Sequence, residues 1–239
     1  MKNEKGFARG LRDGIPIALG YLSVSFAFGI FAVGNGLTVF EALMISMTNV
    51  TSAGQLSAVP IITGGGTLAE LALTQLIINL RYSLMSVTLS QKLDGSVRLF
   101  DRFALAFVNT DEVFAVATAR PTQVNRRYMY GLIVMPYLGW SAGTLVGALA
   151  GDIFPAMLTS ALGVAIYGMF IAIVIPPVKR DRSVAECCLI AIVLSCIFRF
   201  SPTLQAVPTG FTVIVCAVIA GLVMAVIAPV GKTPQEVSR

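Results

Sequence analysis

Long apolar segments separated by short polar breaks run along the whole chain. Each segment approaches or exceeds the length of a membrane helix, which needs roughly 20 apolar residues with a range of about 17–25. The breaks carry glycine, proline, asparagine and aspartate, the residue types of turns. The eight predicted crossings are 14–33, 38–62, 68–91, 103–119, 128–149, 155–177, 184–200 and 209–229. This pattern predicts an all-α polytopic integral membrane protein with about eight transmembrane helices.

The domain organisation follows directly from these segments. We expect one transmembrane transporter domain over 14–230, preceded by a cytoplasmic segment 1–13 and followed by a cytoplasmic tail 231–239. Segment 103–119 is short and contains two acidic residues, so it is either a crossing or a broken, re-entrant element, which would leave seven crossings. The sequence contains no visible internal repeat, although an inverted repeat need not be detectable in one sequence.

Composition excludes several classes of protein. Apolar residues make up 56% of the 239 residues, and charged residues only 12%, about half the roughly 25% of soluble domains. The mean hydropathy is +0.83. The net charge of +5 arises between apolar segments, where lysine and arginine orient a membrane protein, so it does not indicate nucleic-acid binding. We therefore expect a lipid bilayer as the surroundings.

Metal and cofactor chemistry have no support in the sequence. Histidine is absent, and the four cysteines lie in apolar segments without a CxxC pair. Nucleotide-binding and metalloprotease motifs such as GxxxxGK[ST] and HExxH are also absent. The sequence thus predicts no metal, no cofactor and no enzymatic activity, and transport would draw on an ion gradient or on the solute's own gradient.

The basic residues predict the orientation. With eight crossings and a cytoplasmic N-terminus, twelve of the 17 lysines and arginines fall on the inner side and four on the outer side. Arg81 falls within a crossing. This asymmetry predicts a multi-pass protein of the cytoplasmic membrane with both termini in the cytoplasm. Segment 92–102 fits poorly, because it carries three basic residues on the predicted outer side.

Three ionisable residues lie within predicted crossings. Arg81 follows Asn79 near the middle of the third segment, and Asp111 and Glu112 follow Asn109 in the fourth. Charges at this depth are costly and usually face a cavity or a partner. Either they frame a polar cavity for a solute or a proton, or Arg81 and one acid form a structural ion pair. Adjacent helical residues point about 100° apart, so the two acids need not share a role.

The second segment is polar and contains glycine. Asn49, Ser52 and Gln55 lie in it, and Thr48, Ser52 and Gln55 share one helical face. This stretch is either an unwound helix that binds a substrate with its backbone or a helix-packing face. Farther along, glycines recur every fourth residue from Gly139 to Gly151, which predicts close helix packing within the chain or against a second subunit.

Several blocks together resemble the AzlC/BrnF-type family, the large subunit of branched-chain amino acid exporters. They span roughly residues 10–230, and the most specific are Asn79-Leu80-Arg81-Tyr82 and Thr110-Asp111-Glu112-Val113-Phe114-Ala115. The other matching blocks are Gly14-Ile15-Pro16, Phe28-Gly29, Ser52-Ala53-Gly54-Gln55 and the stretch from Gly131 to Trp140.

The resemblance implies a secondary transporter that exports branched-chain amino acids, together with a small hydrophobic AzlD-like membrane subunit. Proton coupling is the expected energy source. A zwitterion with an apolar tail suits the intramembrane groups, because Arg81 or a helix N-terminus would take the carboxylate and an acid or backbone carbonyls the ammonium. The predicted substrate-binding or proton-coupling residues are Arg81, Asp111, Glu112, Asn79, Asn109, Gln55, Ser52 and Asn49.

Two other functions remain compatible with the sequence. A channel or solute sensor would use the same polar groups to line a pore or to detect a solute. A membrane-embedded enzyme would use Asp111 and Glu112 as acid and base, although no metal cluster or cofactor motif accompanies them.

Overall fold

A computed structural model of the chain describes residues 4–153 and 174–228, together with residues 157 and 171. This part is helical apart from turns and one isolated bridge between Leu93 and Val124, which confirms the predicted all-α class. The helices are α1 (Glu4–Gly34), α2 (Val39–Thr48), α3 (Ser52–Thr63), α4 (Leu68–Lys92), α5 (Leu99–Phe107), α6 (Asp111–Thr118), α7 (Arg126–Ile153), α8 (Arg182–Phe200) and α9 (Thr209–Ile227).

Short polar side chains define where several helices begin. Thr38 forms a capping box with Glu41 at the start of α2, and Thr67 accepts a hydrogen bond from the Glu70 N–H at the start of α4. Asp181 accepts from the Ser183 N–H before α8. These side chains satisfy N–H groups that have no partner within the helix. The polar breaks of the sequence therefore coincide with helix starts.

Helices α1 and α7 run side by side in the same direction. Gly10 of α1 lies against the backbone between Tyr128 and Leu132, and Gly29 lies against the backbone between Thr144 and Ala148. The four glycines from Gly139 to Gly151 face α1 one helical turn apart. Small residues let two helix backbones approach closely in a membrane. The glycine ridge thus packs within the chain, as one of the two predicted alternatives required.

A pair of matched glycine substitutions tests this packing. We expect Gly29→Ala to lower the melting temperature of the purified protein, because its Cβ would collide with the α7 backbone. Gly20→Ala in the same helix meets no atom within 4 Å and should be neutral or slightly stabilising. Equal melting temperatures for the two variants would contradict the close α1–α7 contact.

Helices α5 and α6 form a hairpin that enters and leaves at one end of the molecule. We call the end where α1 begins face A and the opposite end face B. The Asp94 N–H donates to the Val124 carbonyl at 3.0 Å, and the Val124 N–H donates to the Lys92 carbonyl at 3.0 Å. Arg126, which begins α7 on face A, forms an ion pair with Asp101 of α5 at 2.8 Å. Both ends of this hairpin, hairpin A, therefore lie on face A.

This arrangement corrects the predicted orientation of one loop. Segment 92–102 was expected on the outer side, opposite 120–127, but the two segments are hydrogen-bonded to each other. The predicted alternative in which 103–119 is broken and re-entrant is the one that the structure adopts. Three basic residues fitted the outer side poorly because segment 92–102 lies on the same face as 120–127.

Helices α2 and α3 form a second hairpin, which enters from face B. Helix α2 descends beside α7, where Ser46 is hydrogen-bonded to Thr144 and Met47 accepts from the Tyr137 hydroxyl at 3.1 Å. Helix α3 then returns, because Val59 packs in one apolar cluster with Ala32 near the end of α1. Segment 38–62, predicted as one crossing, is therefore hairpin B. A long helix is twice followed by a re-entrant hairpin: α1 is followed by hairpin B and α4 by hairpin A, and the two pairs have opposite orientations.

The remaining described helices complete the bundle. Helix α4 runs from face B to face A over about 37 Å at 1.5 Å per residue. Helix α9 begins beside the first turn of α4, where the Gly210 N–H donates to the Glu70 carboxylate at 2.8 Å. Among the described residues, α1, α7, α8 and α9 are long and apolar enough to cross a membrane.

The described residues include the predicted boundary at residue 13 but not the one at residue 231. Helix α1 begins at Glu4, so it extends well into the segment 1–13 that was expected to precede the membrane domain. A membrane helix can continue beyond the bilayer, and the basic residues in its first turns are compatible with water. The predicted tail 231–239 and most of the predicted crossing 155–177 lie outside the described residues.

Candidate functional site

The tips of the two hairpins meet beside the middle of α4. Residues 49–51 separate α2 from α3, and residues 108–110 separate α5 from α6. Asparagine and threonine offer the backbone side-chain hydrogen bonds that compete with a continuous helix, so both breaks have a local cause. Thr110 accepts from the Val113 N–H and caps α6. Each hairpin therefore places a half-helix N-terminus near the centre of the molecule.

A cavity of about 210 Å³ lies between the tips. This volume corresponds to about seven water molecules at roughly 30 Å³ each, which suits a small solute. Backbone and side-chain polar groups share its wall with apolar side chains. The lining residues are Thr48, Asn49, Val50, Thr51, Asn79, Tyr82, Ala106, Phe107 and Asn109. Hairpin B, α4 and hairpin A each contribute to this wall, so movement of either hairpin would change it.

Gln75 connects the polar groups of hairpin B to α4. Its Nε2 donates to the Gly54 carbonyl at 2.8 Å, and its Oε1 accepts from Asn49 at 3.1 Å and from Asn79 at 3.2 Å. Thr51 in turn donates to the Asn49 Oδ1 at 3.0 Å. This amide network fixes the side chains on one side of the cavity. Gln75, which lies one turn before Asn79 on α4, was not among the predicted site residues.

Gly54 occupies a position that no larger residue fits. A Cβ at this position would lie 2.6 Å from the Gln75 Oε1 and would also collide with Thr51. We therefore expect Gly54→Ala to reduce solute transport by about tenfold or more, because misplacement of a binding group by about 1 Å is sufficient to do so. Transport by reconstituted protein is the measurement, with Gly221→Ala in α9 as the control, since Gly221 has no neighbour within 4 Å. Equal transport by the two variants would contradict a role for this network.

The three charged residues that were predicted within crossings form two separate contacts at the tip of hairpin A. Arg81 pairs with Asp111 at 2.7 Å, and the side chains are 52% and 47% exposed. Arg81 also donates to the Tyr82 hydroxyl at 3.0 Å, and its guanidinium lies 4.9 Å from the centre of that ring. Glu112 instead accepts a hydrogen bond from the Tyr21 hydroxyl of α1. The two adjacent acids therefore have different partners, which the angle of about 100° between adjacent helical residues allows.

The partner of Glu112 is itself held in place. Tyr21 is buried, and its ring packs edge-on against Trp140 of α7 with 5.0 Å between the ring centroids. Glu112 thus fastens hairpin A to the α1–α7 pair, whereas Asp111 fastens it to α4. Tyr21 and Trp140 were not among the predicted site residues, and no motif in the sequence marks Tyr21.

Some buried amide oxygens near the tips have no hydrogen-bond partner. Asn109 is only 3% exposed; its Nδ2 donates to Ser86 at 3.2 Å, and its Oδ1 accepts no hydrogen bond. The Asn79 Oδ1 is also without a donor. A buried acceptor that lacks a donor is destabilising by about 1–3 kcal/mol. These oxygens are therefore available to a ligand that donates hydrogen bonds.

The predicted site residues separate into three groups. Asn49, Asn79 and Asn109 line the cavity. Arg81, Asp111, Glu112 and Ser52 are not among its lining residues, although each follows a lining residue in the sequence by one to three positions. Gln55 is fully buried within α3, with both amide atoms unpartnered, and does not line the cavity.

A second, larger cavity of about 350 Å³ lies between α4 and α5 on the side of face A. It shares Ala106 and Asn109 with the central cavity. The hydrogen bond between Asn109 and Ser86 lies at the junction, because Ser86 also lines the larger cavity. The central cavity therefore adjoins a space that leads toward face A.

Comparisons with known proteins agree with this picture of a membrane protein. A family model described as AzlC protein matches residues 16–154. The inner membrane protein YgaZ of Escherichia coli strain K12 is 28% identical over 92% of this chain and 91% of its own length. An uncharacterized membrane protein of Archaeoglobus fulgidus is 31% identical over 72% of this chain and 76% of its own length.

A further relative carries a transport name. The branched-chain amino acid transport protein AzlC of Bacillus subtilis strain 168 is 24% identical over 70% of this chain and 66% of its own length. No solved structure matches the chain.

Proposed function

Because this chain belongs to the AzlC family of membrane proteins, we propose that it exports branched-chain amino acids from the cytoplasm as a proton-coupled secondary transporter. The Bacillus subtilis relative supports the substrate class by its name, branched-chain amino acid transport protein. Direction and coupling are parts of our proposal and rest on the geometry of the site.

The observation that carries the proposal is the meeting of two re-entrant hairpins from opposite faces at a polar cavity. Irregular backbone at membrane depth is tolerated only where protein or a water-filled space surrounds it. Secondary transporters place such broken helices around the substrate, near the middle of the bilayer. The cavity between residues 49–51 and 108–110 lies beside the middle of α4 and is lined by both polar and apolar groups, which supports the proposal.

Basic residues support an orientation with face A in the cytoplasm. Among the described residues, Arg199 at the end of α8 lies on face B. The basic residues on face A include Arg9, Arg12, Lys92, Arg98, Arg102, Arg120, Arg126, Arg127, Lys179, Arg180 and Arg182. The re-entrant hairpin brings segment 92–102 to this face, so the asymmetry is stronger than the sequence predicted. The larger cavity then opens toward the cytoplasm, which suits a transporter that loads its substrate there.

Cysteine labelling tests the orientation together with the hairpin. In a background with the four native cysteines replaced by serine, we expect Gly95→Cys and Gln123→Cys to react only with a reagent applied from the cytoplasmic side. Thr203→Cys, between α8 and α9, should react only from outside. In whole cells and inverted vesicles, a membrane-impermeant maleimide provides the measurement. Labelling of positions 95 and 123 from opposite sides would contradict hairpin A.

A small hydrophobic membrane subunit is the proposed partner. Within the described part of the chain, α8 has no buried residue, although it is as apolar as a membrane helix. The part of its surface that does not contact α9 is therefore exposed, which supports a lipid or another membrane helix as its neighbour. Co-expression of the chain with a short hydrophobic protein encoded beside it, followed by purification through a tag on one chain, tests whether the two form a complex.

Counterflow in proteoliposomes tests the function itself. Vesicles loaded with unlabelled leucine should take up labelled leucine faster than empty vesicles, because a carrier exchanges substrate across the membrane. A channel, the alternative function for this cavity, would show no such stimulation. The Gly221→Ala variant provides a matched active control, and vesicles without protein provide the blank. Labelled valine, isoleucine and methionine in the same assay define the substrate range.

A further inference from the structure

Within the proposed function, on which this inference rests, we infer that the central cavity binds the amino acid in one fixed orientation. Its carboxylate faces the N-terminus of α3 in hairpin B, and its ammonium group faces the buried Asn109 Oδ1 at the tip of hairpin A.

The two half-helices that meet at the cavity differ in charge at their N-termini. A helix N-terminus carries roughly half a positive charge and attracts anions. Helix α6 has Asp111 and Glu112 in its first turn, which offset this charge, whereas α3 has no acidic residue there. An anionic group in the cavity is therefore attracted to α3 rather than to α6.

The first turn of α3 is also uncapped. Thr51 occupies the position of the capping residue, but its side chain accepts no hydrogen bond from the helix and donates instead to Asn49. The other central half-helix is capped by Thr110. Since Thr51 itself lines the cavity, the uncapped N–H groups that follow it are near a ligand. A carboxylate would serve as the missing cap.

Arg81 is the other positively charged group that could bind a carboxylate, but its guanidinium already has partners within the protein. Its guanidinium pairs with Asp111 at 2.7 Å and donates to the Tyr82 hydroxyl at 3.0 Å. It is also absent from the lining of the central cavity, which Tyr82 reaches instead. These contacts favour the α3 N-terminus over Arg81 as the carboxylate site.

Asn109 supplies an independent observation at the opposite end. Its side chain lines the cavity and is 97% buried, as its 3% exposure implies, and its Oδ1 has no donor. Its Nδ2 already donates to Ser86, so the free group is an acceptor. An ammonium group has three donors and no acceptor, which matches this oxygen and the free Asn79 Oδ1. Phe107 and Val50 remain for the apolar tail.

A charge introduced at the start of α3 tests the orientation. Ser52→Asp places a negative charge at the first helical position, where it favours the helix but opposes a bound carboxylate. Ser52→Asn has the same size without the charge. We expect the aspartate variant to bind leucine about tenfold more weakly than the asparagine variant.

Two analogues of leucine show which group of the ligand lies near Ser52. Binding of 4-methylpentanoate, which keeps the carboxylate and lacks the amine, should show the same tenfold difference between the two Ser52 variants. Binding of 3-methylbutylamine, which keeps the amine and lacks the carboxylate, should not. Asn109→Leu should have the opposite selectivity and weaken the amine about tenfold. Equilibrium binding to the purified full chain is the measurement, and Asn109→Leu stands as an independent arm if a Ser52 variant does not fold.

The outcomes separate the inference from the proposed function. If the wild-type chain binds leucine but the two Ser52 variants affect both probes equally, or affect the amine more, the orientation is wrong and the transporter proposal stands. If the wild-type chain neither binds leucine nor shows counterflow, the proposed function is wrong and this orientation is wrong with it.

Discussion

Arg81→Ala is expected to reduce leucine counterflow by about tenfold or more and to lower the yield of folded protein. The substitution removes the partner of Asp111 and leaves a carboxylate unpaired at membrane depth. An ionic group that loses its partner is destabilising to the extent that it lies away from water, and both side chains of this pair are about half buried. The tip of hairpin A would also lose its attachment to α4, which would enlarge or misalign the central cavity. Counterflow and size-exclusion chromatography measure the two effects.

The double variant Arg81→Gln with Asp111→Asn separates structure from function. It removes both charges and keeps side chains that hydrogen-bond to each other, so the yield of folded protein should recover. We expect transport to stay low, because the field of the ion pair beside the cavity is lost. If the double variant transports leucine at the wild-type rate, the pair is purely structural, and Arg81 has no part in the transport cycle.

The hairpins show what the sequence could and could not predict. Segment 103–119 was correctly suspected of being re-entrant, because it is short and contains two acids. Segment 38–62 was predicted as one crossing, because 25 residues suffice for a full span. Hydropathy measures how apolar a segment is and does not report its direction, so a hairpin with two half-helices has nearly the same profile as one helix. The local signal was the polar stretch from Thr48 to Gln55, for which an unwound helix was one of the two interpretations.

The sequence could identify those residues of the candidate site whose types are rare in apolar segments. Arg81, Asp111 and Glu112 were identifiable because charges are rare at membrane depth, and Asn109 because it adjoins them. Gln75 and Tyr21 were missed, since a glutamine or tyrosine in an apolar segment is common and only the fold brings it to the tip of a hairpin. Long-range partners of this kind depend on topology, which local patterns do not contain.

The two acids at the start of α6 have different partners, and this difference indicates that they have different roles. Asp111 has an arginine as its partner, whereas Glu112 has the neutral hydroxyl of Tyr21. A carboxylate beside a neutral donor can gain a proton without leaving a cation unpaired. Among the predicted acids, Glu112 is therefore the better candidate for the coupling proton.

Glu112→Gln is accordingly expected to uncouple transport while leucine exchange continues. Glutamine keeps an oxygen that accepts from Tyr21, so hairpin A stays attached to α1, but it cannot bind and release a proton. In proteoliposomes, a pH gradient should drive uphill leucine movement by the wild-type protein and none by the variant, whereas counterflow should persist within about threefold. Tyr21→Phe, which keeps the acid and loses the hydrogen bond, should still respond to the gradient. Uphill movement by Glu112→Gln would assign the proton to another group, because no titratable carboxyl would then remain at position 112.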